Sequence, residues 1–394
     1  MPWCDPSART SRQRRCGTKV ATSRKPGDVR ERLDFASAGK NPWMTGTNDT
    51  GEARSMGNAG PQTAIGKRVT ASDVAREAGV SQSTVSRSFS DDSRISAATR
   101  EHVRDVATRM GYTPNALARS LITSRSGMVA VIVTRQSILA MPEMLTAISQ
   151  ALGRRGQRML LFSPADESDV QNAVSEAWSY PLEGAISCVT LTAEHLDGFR
   201  MNRIPVVLYN RRARGLADSV CTEHHAAAAR LADRLWEAGH RSFLCLAGPA
   251  DAPVGHERAE GFSARLEELG AVRPRSVVTD FSYAGGRAAM LDALGASPAP
   301  DAVFCVNDQL AMGATDALRY DLGLAVPQDV SVVGFDDVPE AARPSYLLTT
   351  VRQDLGALAE NAASLLDDRS RAPDSPLRDL DVRGELVERQ SARF

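Results

Sequence analysis

The sequence predicts an α/β protein in which a small three-helix globule precedes two consecutive doubly wound units of parallel sheet. Short helical patterns with start and stop signals run from Val69 to Gly111. From Val129 onward, apolar strand-like runs alternate with amphipathic helices, the pattern of buried parallel strands joined by right-handed crossovers. Roughly 260 residues carry that alternation, which suits two units better than one large sheet.

The helices of the globule follow in order. Thr70-Ala-Ser-Asp73 places a capping hydroxyl three residues before a carboxylate, and Val74, Ala75 and Ala78 then share one face, with Gly79 as the stop. Ser81 caps a second helix, Gln82 to Ser88, that turns Val85 and Phe89 inward. Ser96 opens a third, in which Val103, Val106, Ala107 and Met110 recur at helical spacing before Gly111. The segment after Thr113 is helix-capable but too short to hold a helix alone in water, and reads as a linker that folds on contact.

Beyond Gly127 the strand runs are Val129–Thr134, Arg158–Phe162, Gly184–Val189, Val206–Tyr209, Ser242–Ala247, Ser276–Thr279, Ala302–Val306 and Ser331–Phe335. The helices between them are Met144–Leu152, Val170–Trp178, His225–Ala238, Arg258–Leu269, Gly285–Leu294 and Gln309–Asp321. Residues 1–66, rich in Gly, Ser, Thr, Pro and Arg, show neither a helical nor a strand period and read as a disordered basic extension. A functional basic arm is the other reading, and Met44 or Met56 would serve as a start that leaves the folded part intact.

The formal net charge of −1 hides a segregation. Residues 1–66 hold 11 Lys and Arg against 6 Asp and Glu, residues 67–125 hold 10 against 6, and residues 126–394 hold 26 against 36. A basic end beside an acidic body is the electrostatic pattern of a polyanion-binding module. No apolar run reaches the length of a membrane span, and no secretory signal pattern opens the chain. The six scattered cysteines lack metal-ligand spacing, and Cys188, Cys221, Cys245 and Cys305 sit where reduced thiols pack as small hydrophobes. A cytoplasmic protein is expected.

Gly79 makes the turn between two short helices, and the second exposes Ser81, Gln82, Ser83, Ser86 and Arg87 while hiding Val85. That is the layout of a recognition helix, whose N-terminal polar groups reach base edges while hydroxyls and cations meet phosphate. Asp73-Val-Ala-Arg-Glu-Ala-Gly-Val-Ser81 and Thr84-Val-Ser-Arg87 resemble the lactose/galactose repressor (LacI/GalR) headpiece, DVA-x-x-AGVS-x-x-TVSR, at every fixed position. The resemblance implies that Thr70, Ser81, Gln82, Ser83, Thr84, Ser86 and Arg87 meet DNA, with Gln82 and Ser83 at the two variable, sequence-selecting positions. Pro114-Asn-Ala-Leu-Ala-Arg-Ser-Leu121 is similar to the hinge helix of that family, which pairs across a dimer and wedges a leucine into the minor groove. Leu121 would be the wedge, with Asn115 and Ala118 beside it.

The likeness continues through residues 68–394 in Gly239-His-Arg241, Arg258-Ala-Glu-Gly-Phe262, Val306-Asn-Asp308, Val326-Pro-Gln-Asp-Val-Ser-Val-Val-Gly-Phe-Asp-Asp337, Leu348-Thr-Thr-Val351 and Leu386-Val-Glu-Arg389. It implies a two-lobed fold like the periplasmic binding proteins, trapping an effector between the lobes. Carried over by position, Arg258 anchors effector oxygens or a carboxylate, Asn307 supplies an amide, Asp336 accepts hydroxyl protons, Phe281 covers one ligand face and Asn210 contacts from the first lobe. One cation, one anion, one amide and an aromatic plate suit a polyhydroxylated, sugar-like ligand. The chain departs from the family at Ser137-Ile-Leu-Ala-Met141, where an Asn-Pro-aromatic-aromatic segment is usual, and at Val254, where serine is frequent.

The expected layout is therefore a basic extension (1–66), a helix-turn-helix domain (67–113), a hinge (114–126) and an effector-sensing domain (127–394). The expected partners are double-stranded operator DNA, a small-molecule effector and a second copy of the chain, as a homodimer or a tetramer, with no cofactor, metal or membrane. The alternative is a sugar-binding or sugar-metabolising protein with an appended DNA-binding module. Enzyme motifs argue against it: no phosphate-binding glycine loop, H-E-x-x-H or G-x-S-x-G is present. His224-His225 would point about 100° apart on a helix, so the pair reads as surface histidines rather than metal ligands.

Overall fold

A computed structural model of the chain describes residues 69–89, 95–113, 126–250, 252–295 and 297–394. The basic extension and the hinge positions Asn115, Ala118 and Leu121 lie outside the described residues.

Three short helices open the described chain: α1 (Ala71–Glu77), α2 (Gln82–Ser88) and α3 (Ala97–Arg109). The Thr70 hydroxyl accepts from Asp73 N–H while the Asp73 carboxylate accepts from Thr70 N–H, completing the capping box. Helix α1 ends in a Schellman turn: Val80 N–H reaches Ala75 O and Gly79 N–H reaches Arg76 O, which needs the φ of +67° that glycine adopts without a Cβ clash. Ser81 and Ser96 cap α2 and α3 through Thr84 N–H and Thr99 N–H. Val74, Ala75, Ala78, Val85, Val103, Val106 and Ala107 are buried together, flanked by Phe89, Met110 and Tyr112. A core this small leaves little reserve against any one polar intrusion.

Residues 128–394 build two lobes. The first sheet has the order β11-β5-β4-β3-β1-β2, all parallel, from β1 (Met128–Ile132), β2 (Arg158–Phe162), β3 (Gly184–Ser187), β4 (Val206–Tyr209), β5 (Asp218–Thr222) and β11 (Asp379–Val382). The second is β7-β6-β8-β9, also parallel, from β6 (Phe243–Ala247), β7 (Arg275–Val278), β8 (Ala302–Cys305) and β9 (Ser331–Val333). Helices α4 (Arg135–Ala140), α5 (Pro142–Arg154), α6 (Val170–Ala177) and α7 (Ala193–Met201) belong to the first lobe. Helices α8 (His224–Glu237), α9 (Pro253–Glu268), α10 (Tyr283–Gly295) and α11 (Asp308–Asp316) belong to the second. One apolar cluster covers each face of the first sheet and a third surrounds the second. The inner strands of both sheets are thus buried on both sides, as continuous Val/Ile/Leu strands require, while the edge strands β2, β7 and β11 are partly exposed.

The chain crosses between lobes three times. It leaves β5 at Thr222 for α8, returns after β10 (Thr350–Arg352) into α12 (Leu355–Arg371) and β11, and leaves again for β12 (Glu385–Val387), which pairs antiparallel with β10. Helix α12 buries Leu358, Ala359, Ala362, Ala363, Leu365 and Leu366 in the first lobe although it follows the second in sequence. Strand β5, absent from the sequence expectation, is polar at Asp218, Ser219 and Thr222 yet wholly buried. Its Asp218 takes both arms of Arg369 at 2.9 and 3.0 Å, so the polar strand is matched rather than apolar. Cys188, Cys221, Cys245 and Cys305 are free and buried, as expected.

Candidate functional site

In both sheets the strands of the two lobes deliver the expected effector residues at their C-terminal ends. Asn210 follows β4, Phe281 lies beyond β7, Asn307 follows β8 and Asp336 follows β9. Arg258 is the exception, coming from within α9. Asn210, Phe281 and Asp336 hold positive φ values of 50°, 66° and 124°, as does Asp337 at 56°. Backbone strain of this kind in non-glycine residues costs about 1–3 kcal/mol each and collects where a side chain must be aimed.

The polar groups form one connected chain across the lobes. Asn210 Nδ2 donates to Gln353 Oε1 at 2.8 Å, and its Oδ1 accepts from Thr222 N–H at 2.9 Å. Gln353 Nε2 donates to Asp336 Oδ1 at 2.8 Å, while its Oε1 also accepts from the Thr222 hydroxyl. Asp336 Oδ1 lies 2.9 Å from Arg258 Nη1, which also donates to Val306 O at 2.8 Å. Arg258 Nε then reaches His224 Nδ1 at 3.3 Å, and its guanidinium lies 3.9 Å above the Phe335 ring. Gln353 and His224, on two of the crossing segments, were not among the expected site residues. The quoted motif Leu348-Thr-Thr-Val351 stopped two residues short of Gln353. His224 corrects the expectation directly: His225 is exposed, but His224 is only 2% exposed, because the crossing into α8 turns its ring under Arg258 and against Phe335.

Asn307 and Phe281 are arranged differently. Asn307 Oδ1 caps α11 through Leu310 N–H at 2.9 Å, and its Nδ2 donates to Phe281 O at 3.0 Å, so the amide fixes the loop that carries the aromatic ring. That ring lies over Gly248 and Gly255, where any Cβ would collide with it. The departing segment at Ser137 folds into α4, capped by Thr134, and Gln136 Nε2 donates across the lobes to Asp280 O at 2.9 Å, next to Phe281.

Charge in this region is tightly held. Burial, opposed by Arg258, raises the Asp336 carboxyl above its ordinary range. Asp308, wholly buried, accepts from Thr350 Oγ1 at 2.6 Å and Val338 N–H at 2.9 Å; burial and the neighbouring Asp336 charge push it up to about 7. Burial and the Arg258, Arg211 and Arg212 charges hold the His224 imidazole well below its usual value. Between about pH 4 and 7, native Asp308 keeps a proton that the unfolded chain has released, so stability falls as pH rises through that window. Asp308→Asn mimics the protonated form. Its unfolding free energy is expected to gain on the natural chain by on the order of a few kcal/mol from pH 4 to 7 and to level off above. Urea unfolding across that range measures the difference, in which the opposite contribution of His224, lost below about pH 6.5, cancels.

In the headpiece, Ser81, Gln82 and Ser83 are exposed at the start of α2, and Thr84, Ser86 and Arg87 are half-buried along it. Ser81 Oγ lies 2.8 Å from both Ser83 Oγ and Thr84 Oγ1, which ties three hydroxyls into one cluster. The exposed Thr70 hydroxyl caps α1 through Asp73. Among the described residues no group of three His, Cys, Asp or Glu is placed to hold a metal ion. A cavity of about 1080 Å³ opens at the N-terminal ends of the first sheet, between Phe199, Arg203, Asp218 and Arg369, at the opposite end of the strands from the polar chain.

Residues 70–115 match the bacterial regulatory proteins of the lacI family, and residues 232–392 match the periplasmic binding protein-like domain. The transcriptional regulator CelR of Thermobifida fusca is 32% identical over 322 residues, 77% of this chain and 92% of CelR. A crystal structure of the lac repressor dimer bound to operator and the anti-inducer ONPF superposes with a TM-score of 0.76 at 26% identity, covering 83% of this chain and all of that one. A CelR–cellobiose complex superposes with a TM-score of 0.62 at 28% identity, covering 82% of this chain and all of that one.

Proposed function

The chain belongs to the LacI family of bacterial transcriptional regulators, and we propose that its operator affinity is set by a sugar-like effector held between the two lobes. In this reading residues 67–113 read the operator, 114–126 form the hinge, 127–394 sense the effector, and 1–66 are a basic extension. Two copies act as a homodimer, in line with the lac repressor dimer on its operator, so that two headpieces meet a pseudo-palindromic site. Ser81, Gln82, Ser83, Thr84, Ser86 and Arg87 face the DNA with Thr70, while Leu121, flanked by Asn115 and Ala118, enters the minor groove. Arg258, Asp336 and Asn210 hold ligand oxygens, with Phe281 as the plate and Asn307 as its support.

The polar chain Asn210–Gln353–Asp336–Arg258 carries the proposal. It ties the first lobe to the second through a crossing segment, so a ligand hydroxyl inserted into it changes the relative stability of lobe arrangements. Only such differential binding can alter DNA affinity. The relative that binds cellobiose supports a polyhydroxylated ligand. The test is a fluorescence-anisotropy titration of the full chain on duplex DNA from upstream of its own gene. Binding is expected to weaken steeply with salt, and one small metabolite from a cell extract is expected to shift the Kd by roughly 5- to 150-fold. A chain that attaches to no duplex in a salt-sensitive way overturns the reading.

A further inference from the structure

Three arginines stand around the polar chain. Arg258 is matched by Asp336, and Arg212 is bonded to Asp381. Among the described residues Arg211, the residue after Asn210, has no carboxylate within hydrogen-bonding distance: its ion-pair partner Glu167 Oε1 is 3.7 Å from Nη2 and half exposed. Its Nη1 donates to Asn210 O at 2.9 Å, and its Nε is buried with no acceptor among the described residues. The guanidinium is near enough to His224 and Arg258 for its charge to act on both. It also acts on Cys188, just beyond β3, while Glu167 follows β2. The side chain therefore stands at the C-terminal ends of the first sheet, on the same side as Asn210.

His224 supplies a second unmatched donor. Its Nδ1 accepts from Arg258 Nε, and arginine cannot accept in return, so the ring proton sits on Nε2. That Nε2–H is wholly buried and has no acceptor among the described residues. A buried donor without a partner is unfavourable, and here two occur, one of them on an arginine whose Glu167 partner is 3.7 Å away and half exposed. Both lack the same thing, an acceptor oxygen, and beside the Arg211 charge a negatively charged one is favoured.

We propose that the effector carries an anionic group, phosphate or carboxylate, which lies against the Arg211 guanidinium and accepts from His224 Nε2–H. The proposal rests on the sensing role above and narrows its ligand to a phosphorylated or acidic polyhydroxylated metabolite. Arg211 and His224 become specificity-determining residues: the hydroxyl-bearing part of the ligand meets Asp336 and Asn210, and the anion meets the two orphaned donors. Charge-assisted bonds of this kind are about twice as strong as neutral ones, so the preference is large.

Isothermal titration of the full chain with glucose, glucose 6-phosphate, gluconate and inorganic phosphate tests it. At least one anionic probe is expected to bind tenfold or more tightly than glucose, and comparing glucose 6-phosphate with gluconate distinguishes phosphate from carboxylate. Arg211→Gln is expected to bring the ratio of anionic-probe to glucose affinity down to about that of an uncharged site, and Arg211→Lys to keep part of the preference. If no anionic probe outbinds glucose, or if Arg211→Gln keeps the preference, the assignment is wrong. Glucose binding alone would reject the anion while leaving the sensing role, whose own test is operator binding, intact.

Discussion

Replacing Arg258 by methionine is expected to lower the unfolding free energy by about 3–5 kcal/mol and to abolish every response of operator binding to effector. The side chain is 5% exposed and touches four groups: Asp336, Val306 O, His224 Nδ1 and the Phe335 ring. Removing it leaves the Asp336 carboxylate, 13% exposed, with Gln353 as its remaining hydrogen-bond donor. The cost is chiefly that of a buried charge without its counterion, not the loss of a favourable pair. Arg258→Met combined with Asp336→Asn is therefore expected to recover much of the stability but none of the response. Chemical denaturation and anisotropy on one operator duplex read the two quantities separately. Recovery of the response in the double variant would show that the pair only holds the fold.

The converse substitution lies at the other end of the chain. Val85→Asp places a carboxylate among the six other buried residues of the headpiece core, at a position with no exposure at all. A charge buried without a partner exceeds what so small a core supplies. Operator affinity is expected to fall by at least a hundredfold, while effector binding by residues 128–394 stays within twofold of the natural chain. Calorimetry with a bound metabolite and anisotropy on the operator measure the two. Loss of both together would mean that reading and sensing share a core.

The headpiece was legible almost residue by residue. Its helices are short, and their caps and stops fall at local signals: Thr70, Gly79, Ser81, Ser96 and Gly111 all do what their residue types imply. The parallel strands were legible wherever they are apolar. Strand β5 was not, because Asp218 is matched by Arg369 from 151 residues away, and no local window records that partner. The connected polar chain was half legible. Arg258, Asp336 and Asn210 follow from position, but their bonds run to Gln353 and His224, which reach the same place only because the crossings bring them there. The positive φ value at Phe281 leaves no trace in residue type, whereas Asn210 and Asp336 are of the types that adopt positive φ most readily after glycine.

The return of α12 and β11 to the first lobe bears on how the protein is made. A ribosome that has released residues 128–222 has supplied α5 but not α12, the second helix on the same face of that sheet, nor the strand that closes its edge beyond β5. That part of the nascent chain must wait, with part of an apolar face and an unpaired edge uncovered, until residues 355–382 emerge. The second lobe, whose sheet is complete by residue 333, is expected to settle first, so assembly runs against the order of synthesis.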